Sequence, residues 1–487
     1  MRSLTAGKFE ISTPWPIVKS HDVALSALHS RQAIEVANHI RSENGDLAAS
    51  LNVEAVSTGW EGGPTLYLED HRGVDLVSEA SAKLFEYRML GLAGDGDAYL
   101  ISRPSDETFE NYIRASLNSG PVKIIKIEKS EMIGNASLSA ACLRSSRALD
   151  HIIRSTISAG SLNIAPYQVT KDVWALAHKI AKISKCPIRV TGPNPFLSEK
   201  ANDKTWFNDL AEMLLGSDAV PISYTKYCLA STAVTINRLA KKHRRLVIKI
   251  PTSAGGLGNM VLMSKELRGH NTEALREFLS EKLSVKGWTT GKPLLVGVWD
   301  DHVIGSPSVQ IWVPDAKHGM PIIEGVYEQL VEGPTGAFVG ATRSVLELGL
   351  QTLITYDAMR IALVLQNLGY FGRLSLDTVL LGLPNGKMKV HWIEANARWG
   401  GVSIPMTIGN KIMPNGAPVS VLVMQNLRKS EGGHNLEETL LNMGVPELDS
   451  GENPKKSFIR LLPSSEKLEL IAAFGLEDAE LNRLRSE

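Results

Sequence analysis

The pair Asn385-Gly386 constrains this chain more than any other feature. It stands between two runs of alternating apolar character, LSLDTVLL (374–381) and MKVHWIEA (388–395). Asn-Gly is the pair that a two-residue type I′ hairpin turn prefers, because both central residues need a positive φ. With that pair as the turn centre, Asp377 lies opposite Glu394, Ser375 opposite Asn396, and Arg373 faces Arg398. Side chains alternate with period two, so these six point to one face of the sheet. The other face carries Leu374, Leu376, Ile393, Ala395 and Ala397 and reads as core, with His391 expected on that side as a half-buried, satisfied histidine. Opposed carboxylates on neighbouring strands sit about 5 Å apart at Cβ and repel one another unless a cation or a shared proton intervenes. An Asp/Glu/Asn set is the oxygen-rich kind that Mg²⁺ accepts, with waters and substrate phosphates completing its shell. A solvated hairpin with its charges in water is the bland alternative. The flanking arginines and the apolar opposite face argue instead for a buried sheet.

A second feature is VIKIPTSAGGLGN (247–259), an apolar strand carrying Lys249 that runs into a loop with Gly255, Gly256 and Gly258. Closely spaced glycines let successive backbone N–H groups converge on an oxyanion, and a nearby lysine adds a point charge suited to phosphate. The segment is not a Walker A sequence. By itself it reads equally well as a plain turn with Lys249 snorkelling from a sheet edge. Its meaning comes from the carboxylate hairpin that follows.

The rest of the chain narrows the class. With 487 residues, 43% hydrophobic and 21% charged, the chain is long enough for several domains with ample core. Lys+Arg and Asp+Glu both number 52, so no net field favours nucleic acid or an anionic membrane. The cysteines, Cys142, Cys186 and Cys228, form no C-x-x-C pair, which argues against a disulfide framework and a cysteine zinc site and favours a reducing, cytoplasmic setting. The 12 histidines show no H-x-x-x-H or H-E-x-x-H zinc spacing. MRSLTAGKFEISTPWP has no long apolar core, and no run of about 18 uncharged apolar residues follows, so secretion and membrane spanning are disfavoured.

There is no internal repeat and no low-complexity tract. Residues 97–128 read as a βαβ unit, followed by helical segments at about 133–157 and about 170–184, and a turn-rich stretch at 186–204 marks a boundary. A strand-rich region begins near Gly291 with PLLVGVW, PSVQIWV and PIIEGVYEQLV, and the tail reads as two helices around the strand KSFIRLL. The run Lys241-Lys242-His243-Arg244-Arg245 closes a helix, where cations suit the dipole and solvent, and reads as a solvated face. Trp299, Trp312, Trp392 and Trp399 read mostly as core or pocket wall, with Trp399 a lesser candidate for lining an acceptor site.

Taken in order, a lysine on a strand before S-x-G-G-x-G, then G-x-x-G-x-x-x-x-D, then E-x-N-x-R-x-G-G resembles the ATP-grasp superfamily of carboxylate-amine ligases across roughly 199–410. Upstream, APYQVTKDVWALAHKIAK and NDKTWFNDLAEML resemble the pre-ATP-grasp domain of the pheganomycin-type peptide ligases. The resemblance implies an α/β (α+β) architecture, with a Rossmann-like pre-ATP-grasp domain (1–198), a small lobe with the glycine loop (199–290), a large lobe with the Mg-binding hairpin (291–415) and a C-terminal extension (416–487). ATP would lie between two mostly antiparallel sheets. By the same resemblance, Lys204 of NDK and Lys249 match the lysines on the α- and β-phosphates, and Ser253, Gly255, Gly256 and Gly258 belong to the loop over the β- and γ-phosphates. Asp377, Glu394 and Asn396 match the ligands of one or two Mg²⁺ ions, with Mn²⁺ as a substitute, and Arg398 matches the arginine on the transferring phosphoryl group. Val296, Val298 and Trp299 fall at the adenine-contacting hinge. There Gly297 stands where many members have glutamate, which leaves Asp300 or Asp301 for the ribose. Lys200 in SEK competes with Lys204, and the helix after NDK favours Lys204.

The implied chemistry is activation of a carboxylate by ATP to an acyl phosphate, attack by the amine of an amino acid or peptide, and release of ADP and phosphate. Such an enzyme needs no side-chain nucleophile, and no Ser-His-Asp or Cys-His signature is present. The alternatives are an ATP-grasp carboxylase, a kinase-like enzyme, or a nucleotide-binding module that does not turn over. Partners are small molecules, with neither nucleic acid nor membrane, and a homodimer through the N-terminal domain is expected by analogy with the superfamily.

Overall fold

A computed structural model describes residues 13–45, 55–412, 421–426, 436–449, 456–463 and 468–486. The residues that opened the N-terminal reading, 1–12, lie outside the described ones, as do 413–420 and 427–435 of the tail.

The first sheet holds β1 (Val56–Thr58), β2 (Thr65–Leu68), β3 (Ala98–Ile101), β4 (Lys123–Lys126), β5 (Leu162–Pro166) and β6 (Ile188–Val190) in the order β1-β6-β5-β2-β3-β4. Every pairing in it is parallel. The expected βαβ unit is β3, the helix Glu107–Ser116 and β4; Asp106 caps the helix through Phe109 N–H, and Phe109 and Ile113 bury its inner face. The single helix expected at about 133–157 is instead two, Leu138–Arg144 and Ser146–Ala159. Ser145 divides them. Its N–H closes the first helix on Ala141 O, and its hydroxyl accepts from Ala148 N–H to start the second.

The second sheet holds β7 (Ser223–Lys226), β8 (Arg245–Lys249), β9 (Asn259–Met263) and β10 (Leu294–Val298), antiparallel in the order β7-β10-β8-β9. Helices Leu229–Ala240 and Thr272–Val285 bury Ile236, Leu239, Leu275 and Leu279 against it. The strand PLLVGVW, assigned by sequence to the region after Gly291, pairs with β7 and β8 and so belongs to this sheet. Apolar alternation marks a strand but not its partner.

The third sheet has nine strands: β11 (Val303–Gly305), β12 (Pro307–Val313), β13 (Ile322–Glu332), β14 (Ala337–Arg343), β15 (Gly372–Gly382), β16 (Met388–Asn396), β17 (Val421–Asn426), β18 (Ser457–Arg460) and β19 (Glu469–Phe474). Their order is β11-β15-β12-β13-β14-β17-β19-β18, with β16 along β15. Helices Ala27–Glu43, Lys204–Leu215 and Leu348–Asn367 share a core with this sheet, where Ala37, Phe207, Leu210 and Ile361 meet Val309, Leu374 and Leu376. The helix after NDK, expected with the small lobe, therefore packs with the large one. The tail also departs from expectation, since its described part supplies three strands to this sheet as well as helices Leu436–Asn442 and Asp478–Ser486.

The parallel sheet and the large sheet share a core. Trp15 meets Tyr67, Trp312 and Trp399 edge-on, with centroids 6.1, 6.2 and 5.0 Å away. Among the described helices, Leu348–Asn367 alone is long and apolar enough to cross a membrane, with mean hydropathy 1.3, and 56% of that stretch is buried inside the protein.

Candidate functional site

A cleft of about 1710 Å³ runs between the second and third sheets and reaches the N-terminal domain. The carboxylate hairpin forms its floor. Asp377 pairs with Glu394 and Ser375 with Asn396, as expected, but the turn does not have the expected form. Leu383 N–H donates to Lys387 O at 2.8 Å, Gly386 N–H donates to Leu383 O at 2.9 Å, and Gly386 has φ 74°. Pro384-Asn385-Gly386 is thus a three-residue loop with glycine in the left-handed position, and the fixed φ of Pro384 suits the first corner of the preceding type I turn. This shifts the register by one residue, so that Gly382 pairs with Met388 and Thr378 with Trp392. A β-bulge between Asp377 and Thr378 then restores the expected pairing at the acids.

The bulge redistributes the side chains. Trp392 joins the core, while Ile393, expected there, is half-buried and lines the cleft. His391 comes round to the side of the acids, contrary to expectation, and its Nδ1 lies 2.8 Å from Asp300 Oδ2. Arg373 is corrected as well. Rather than facing Arg398, it is buried in an ion pair with Glu324, bonds Thr407 Oγ1 at 2.7 Å, and stacks 5.3 and 5.0 Å from the rings of Trp312 and Trp399. Trp399 is accordingly a core residue.

Each residue of Asn202-Asp203-Lys204 has a separate role. Asn202 Oδ1 accepts from Ala397 N–H at 3.0 Å and from Arg398 Nη1, clamping the end of β16. Asp203 caps the helix Lys204–Leu215 by accepting from Thr205 N–H at 2.7 Å. Lys204, 7% exposed, donates to Glu394 Oε2 and to Ser253 O, each at 2.5 Å. Lys200 is exposed and is not part of the cleft wall. Lys249 ends β8 on that wall, and burial together with the charge of Lys204 lowers its pKa to about 8, against the pull of Glu394 and Asp300.

The two acids are held differently. Burial acts to raise Glu394, but the charge and hydrogen bond of Lys204, with Arg398 and Lys249 behind it, prevail and hold it below the usual range. Asp377 is pushed up to about 7 by burial and by the charge of Glu394; hydrogen bonds from Ser308 and Gln329 and the charge of Arg398 oppose the shift without cancelling it. It accepts from Ser308 Oγ at 2.6 Å and from Asn396 Nδ2 at 3.0 Å. Gln310 Nε2 in turn donates to Ser308 Oγ at 2.9 Å. Among the described residues no three His, Cys, Asp or Glu side chains converge as a metal set. Two acids and an amide fit a divalent ion that takes the rest of its shell from phosphate and water. The raised Asp377 marks an anion pair that such an ion would relieve.

Gly255 and Gly256 have φ 59° and 78°. A Cβ on Gly256 would sit 3.0 Å from Thr335 O and Gly336 O, so the loop lies directly against the β13–β14 turn. Ser253 turns inward and donates to Ile250 O at 2.8 Å, and a Cβ on Gly258 would fall 1.9 Å from its Oγ. At the hinge, Val298 and Trp299 line the cleft while Val296 is buried in the core of the second sheet. Gly297 has a steric reason: a Cβ there would lie 2.4 Å from Ile222 O on the chain entering β7. Of the two ribose candidates, Asp301 is held by Arg245 Nε at 2.7 Å, and Asp300 lines the cleft beside His391.

Sequence reasoning missed several cleft residues. Ser308 and Gln310 did leave a signal, being polar at two-residue spacing on the otherwise apolar β12. His71, Arg88 and Tyr167, from the parallel-sheet domain, and Leu436 and Leu470, from the tail, left none, because only the tertiary packing brings them to the cleft.

Residues 86–181 match the family model described as the pre ATP-grasp domain. No curated protein matches the chain in sequence. Among solved structures it is similar to biotin carboxylase from Campylobacter jejuni in its β-γ-ATP complex, at 12% identity and TM-score 0.51, over 86% of this chain and 89% of that one. It is similar, at 13% and 0.51, to the biotin carboxylase domain dimer of 2-oxoglutarate carboxylase from Hydrogenobacter thermophilus with MgADP and bicarbonate, over 87% and 88%. It is also similar, at 14% and 0.50, to N5-carboxyaminoimidazole ribonucleotide synthetase from Thermus thermophilus, over 87% and 99%. At these identities the likeness is one of fold, and the fold is the ATP-grasp one, with a pre-ATP-grasp domain ahead of it.

Proposed function

We propose that this chain is an ATP-dependent ligase that activates a carboxylate as an acyl phosphate and joins it to the amine of an amino acid or peptide. The observation that carries this reading is the convergence of Lys204, Lys249 and Arg398 on the Asp377–Glu394 pair in a single cleft. Three cations around two acids can gather a triphosphate, and phosphoryl transfer is catalysed chiefly by positioning and by neutralising charge. In this reading Lys204 and Lys249 hold the α- and β-phosphates, the loop from Ser253 to Gly258 covers the β- and γ-phosphates, and Val298 and Trp299 wall the adenine. Asp377, Glu394 and Asn396 would hold Mg²⁺, or Mn²⁺ in its place; the ion supplies charge neutralisation at the phosphates.

The substrate carboxylate oxygen attacks the γ-phosphorus and ADP departs. Arg398, fixed by Asn202, stabilises the moving phosphoryl group. The amine nitrogen then attacks the acyl carbon, a C–N bond forms, the C–O bond to phosphate breaks, and the amine gives up a proton. Because the acyl phosphate hydrolyses in water, the glycine loop and the β13–β14 turn against it would serve as its cover. The narrower peptide-ligase assignment rests on the resemblance of APYQVTKDVWALAHKIAK and NDKTWFNDLAEML to that group.

The test is incubation with ATP, Mg²⁺ and pooled amino acids and dipeptides. ADP, phosphate and an amide product found by mass are expected. AMP with pyrophosphate, phosphate release that depends on bicarbonate, or ATP binding without turnover would overturn the reading.

A further inference from the structure

On the N-terminal side of the same cleft, His71 lies flat between two rings, with Tyr167 stacked 4.0 Å away and Phe85 5.1 Å away. Its Nε2 lies 2.9 Å from Glu69 Oε1 and 3.3 Å from Arg88 Nη2. The two contacts compete for one nitrogen. Glu69 is fully buried, with Oε1 paired with Arg88 and Oε2 accepting from Met89 N–H at 2.8 Å, so both its oxygens are engaged as acceptors. The shorter contact therefore assigns the hydrogen to Nε2, donated to Glu69. Nδ1 is left with its lone pair and no hydrogen-bond partner among the described residues, on a residue that lines the cleft.

The position of this base is tied to the reacting end of the site. Tyr167 O accepts from Trp399 N–H at 3.0 Å, and Trp399 is the residue after Arg398. A carboxylate behind an imidazole, on a residue that lines a cleft, is the arrangement that orients a general base. We propose that His71 Nδ1 takes the proton from the acceptor amine as that amine attacks the activated carboxylate, with Glu69 as its positioning residue. This rests on the ligase reading above and adds the group that completes it. The nitrogen lone pair forms the C–N bond, the C–O bond to phosphate breaks with its electrons leaving on phosphate, and the proton passes from nitrogen to Nδ1.

The neighbouring charges fit the role. Burial lowers the pKa of His71, with Arg88 acting in the same direction, while Glu69 and Asp70 pull it back up without prevailing. The imidazole is therefore neutral, and able to accept a proton, at physiological pH.

The test separates activation from amine attack. Wild type, His71→Asn and His71→Gln are given ATP, Mg²⁺ and the pooled amino acids, with and without hydroxylamine, a nucleophile largely unprotonated at neutral pH that traps acyl phosphates as hydroxamates. The variants should form hydroxamate at the wild-type rate while amide formation falls by about 10²-fold or more. In the wild type alone, whatever the fate of the variants, amide formation at a fixed concentration of unprotonated amine should fall on acidification through the His71 titration, while hydroxamate formation at a fixed concentration of unprotonated hydroxylamine does not. Equal amide rates in folded variants, or coincident pH profiles of the two products, would overturn the role of His71. Absence of both hydroxamate and amide from the wild type would instead overturn the ligase reading together with this one.

Discussion

Lys204 Nζ sits 2.5 Å from Glu394 Oε2, while Asp377 on the facing strand accepts from the neutral Ser308 and Asn396. The two acids of one hairpin are thereby driven apart in proton affinity, Glu394 downward by the lysine and Asp377 up to about 7 by burial and by Glu394 itself.

This asymmetry sets a pH dependence of stability. In protein freed of divalent ions, Asp377 binds its proton more tightly folded than unfolded. Its contribution is thus complete below about pH 4 and is lost as pH rises through about 7. Glu394 has the opposite sign, contributing above about pH 4.5 and losing that contribution on acidification. Thermal unfolding in EDTA should show a Tm decline toward pH 8 that Asp377→Asn flattens and Mg²⁺ suppresses. A decline unchanged in Asp377→Asn would contradict the assignment.

Glu394→Gln keeps the shape and removes the charge. Lys204 retains the carbonyls of Ser253 and Pro251, so the stability loss should be about 1–3 kcal/mol. Turnover of ATP should fall by about 10²-fold or more, since a charge-stabilising group is lost from the reacting centre. Steady-state kinetics and a urea melt of the same preparation distinguish the two effects.

Lys249, lowered to about 8, should lose its proton as pH rises through that value, and its hold on phosphate with it. The KM for ATP is expected to climb above about pH 8 in the wild type and to stay flat in Lys249→Arg, whose guanidinium does not titrate there. Parallel profiles for the two proteins would exclude Lys249 from phosphate binding.

Gly297→Ala places a methyl group 2.4 Å from Ile222 O, a backbone atom of the adjoining chain that has little room to yield. A loss of about 1–3 kcal/mol in unfolding free energy is expected, with weaker ATP binding because β10 leads into Val298 and Trp299 on the cleft wall. A variant as stable as wild type would show that β7 can move aside.

The Arg373–Glu324 pair is almost wholly buried, at 2% and 0% side-chain exposure. Arg373→Met or Glu324→Leu alone should cost about 3–5 kcal/mol by leaving one charge unpaired, and the double replacement should recover most of it. A double-mutant cycle on Tm and urea midpoint measures the coupling.

The pairing of the acids and the loop after Lys249 were legible from sequence because local rules specify them, whereas Lys204 and the role given to Arg398 entered only through the family resemblance. Period-two alternation places Asp377 with Glu394, and a glycine-rich strand exit after Lys249 marks an anion loop. The correct pairing of the acids nevertheless came from a turn of the wrong length, because the bulge at Ile393 offsets the extra loop residue, and no local pattern announces a bulge. That one residue decided that His391 faces Asp300 and that Ile393 leaves the core. Whether β10 serves the second sheet or the third, whether Arg373 meets Arg398 or Glu324, and whether His71 stands in the cleft at all depend on contacts between residues far apart in the chain. Short-range geometry repeats along the backbone and can be read residue by residue. Long-range packing is settled only by which faces bury each other, and the folded protein alone supplies that.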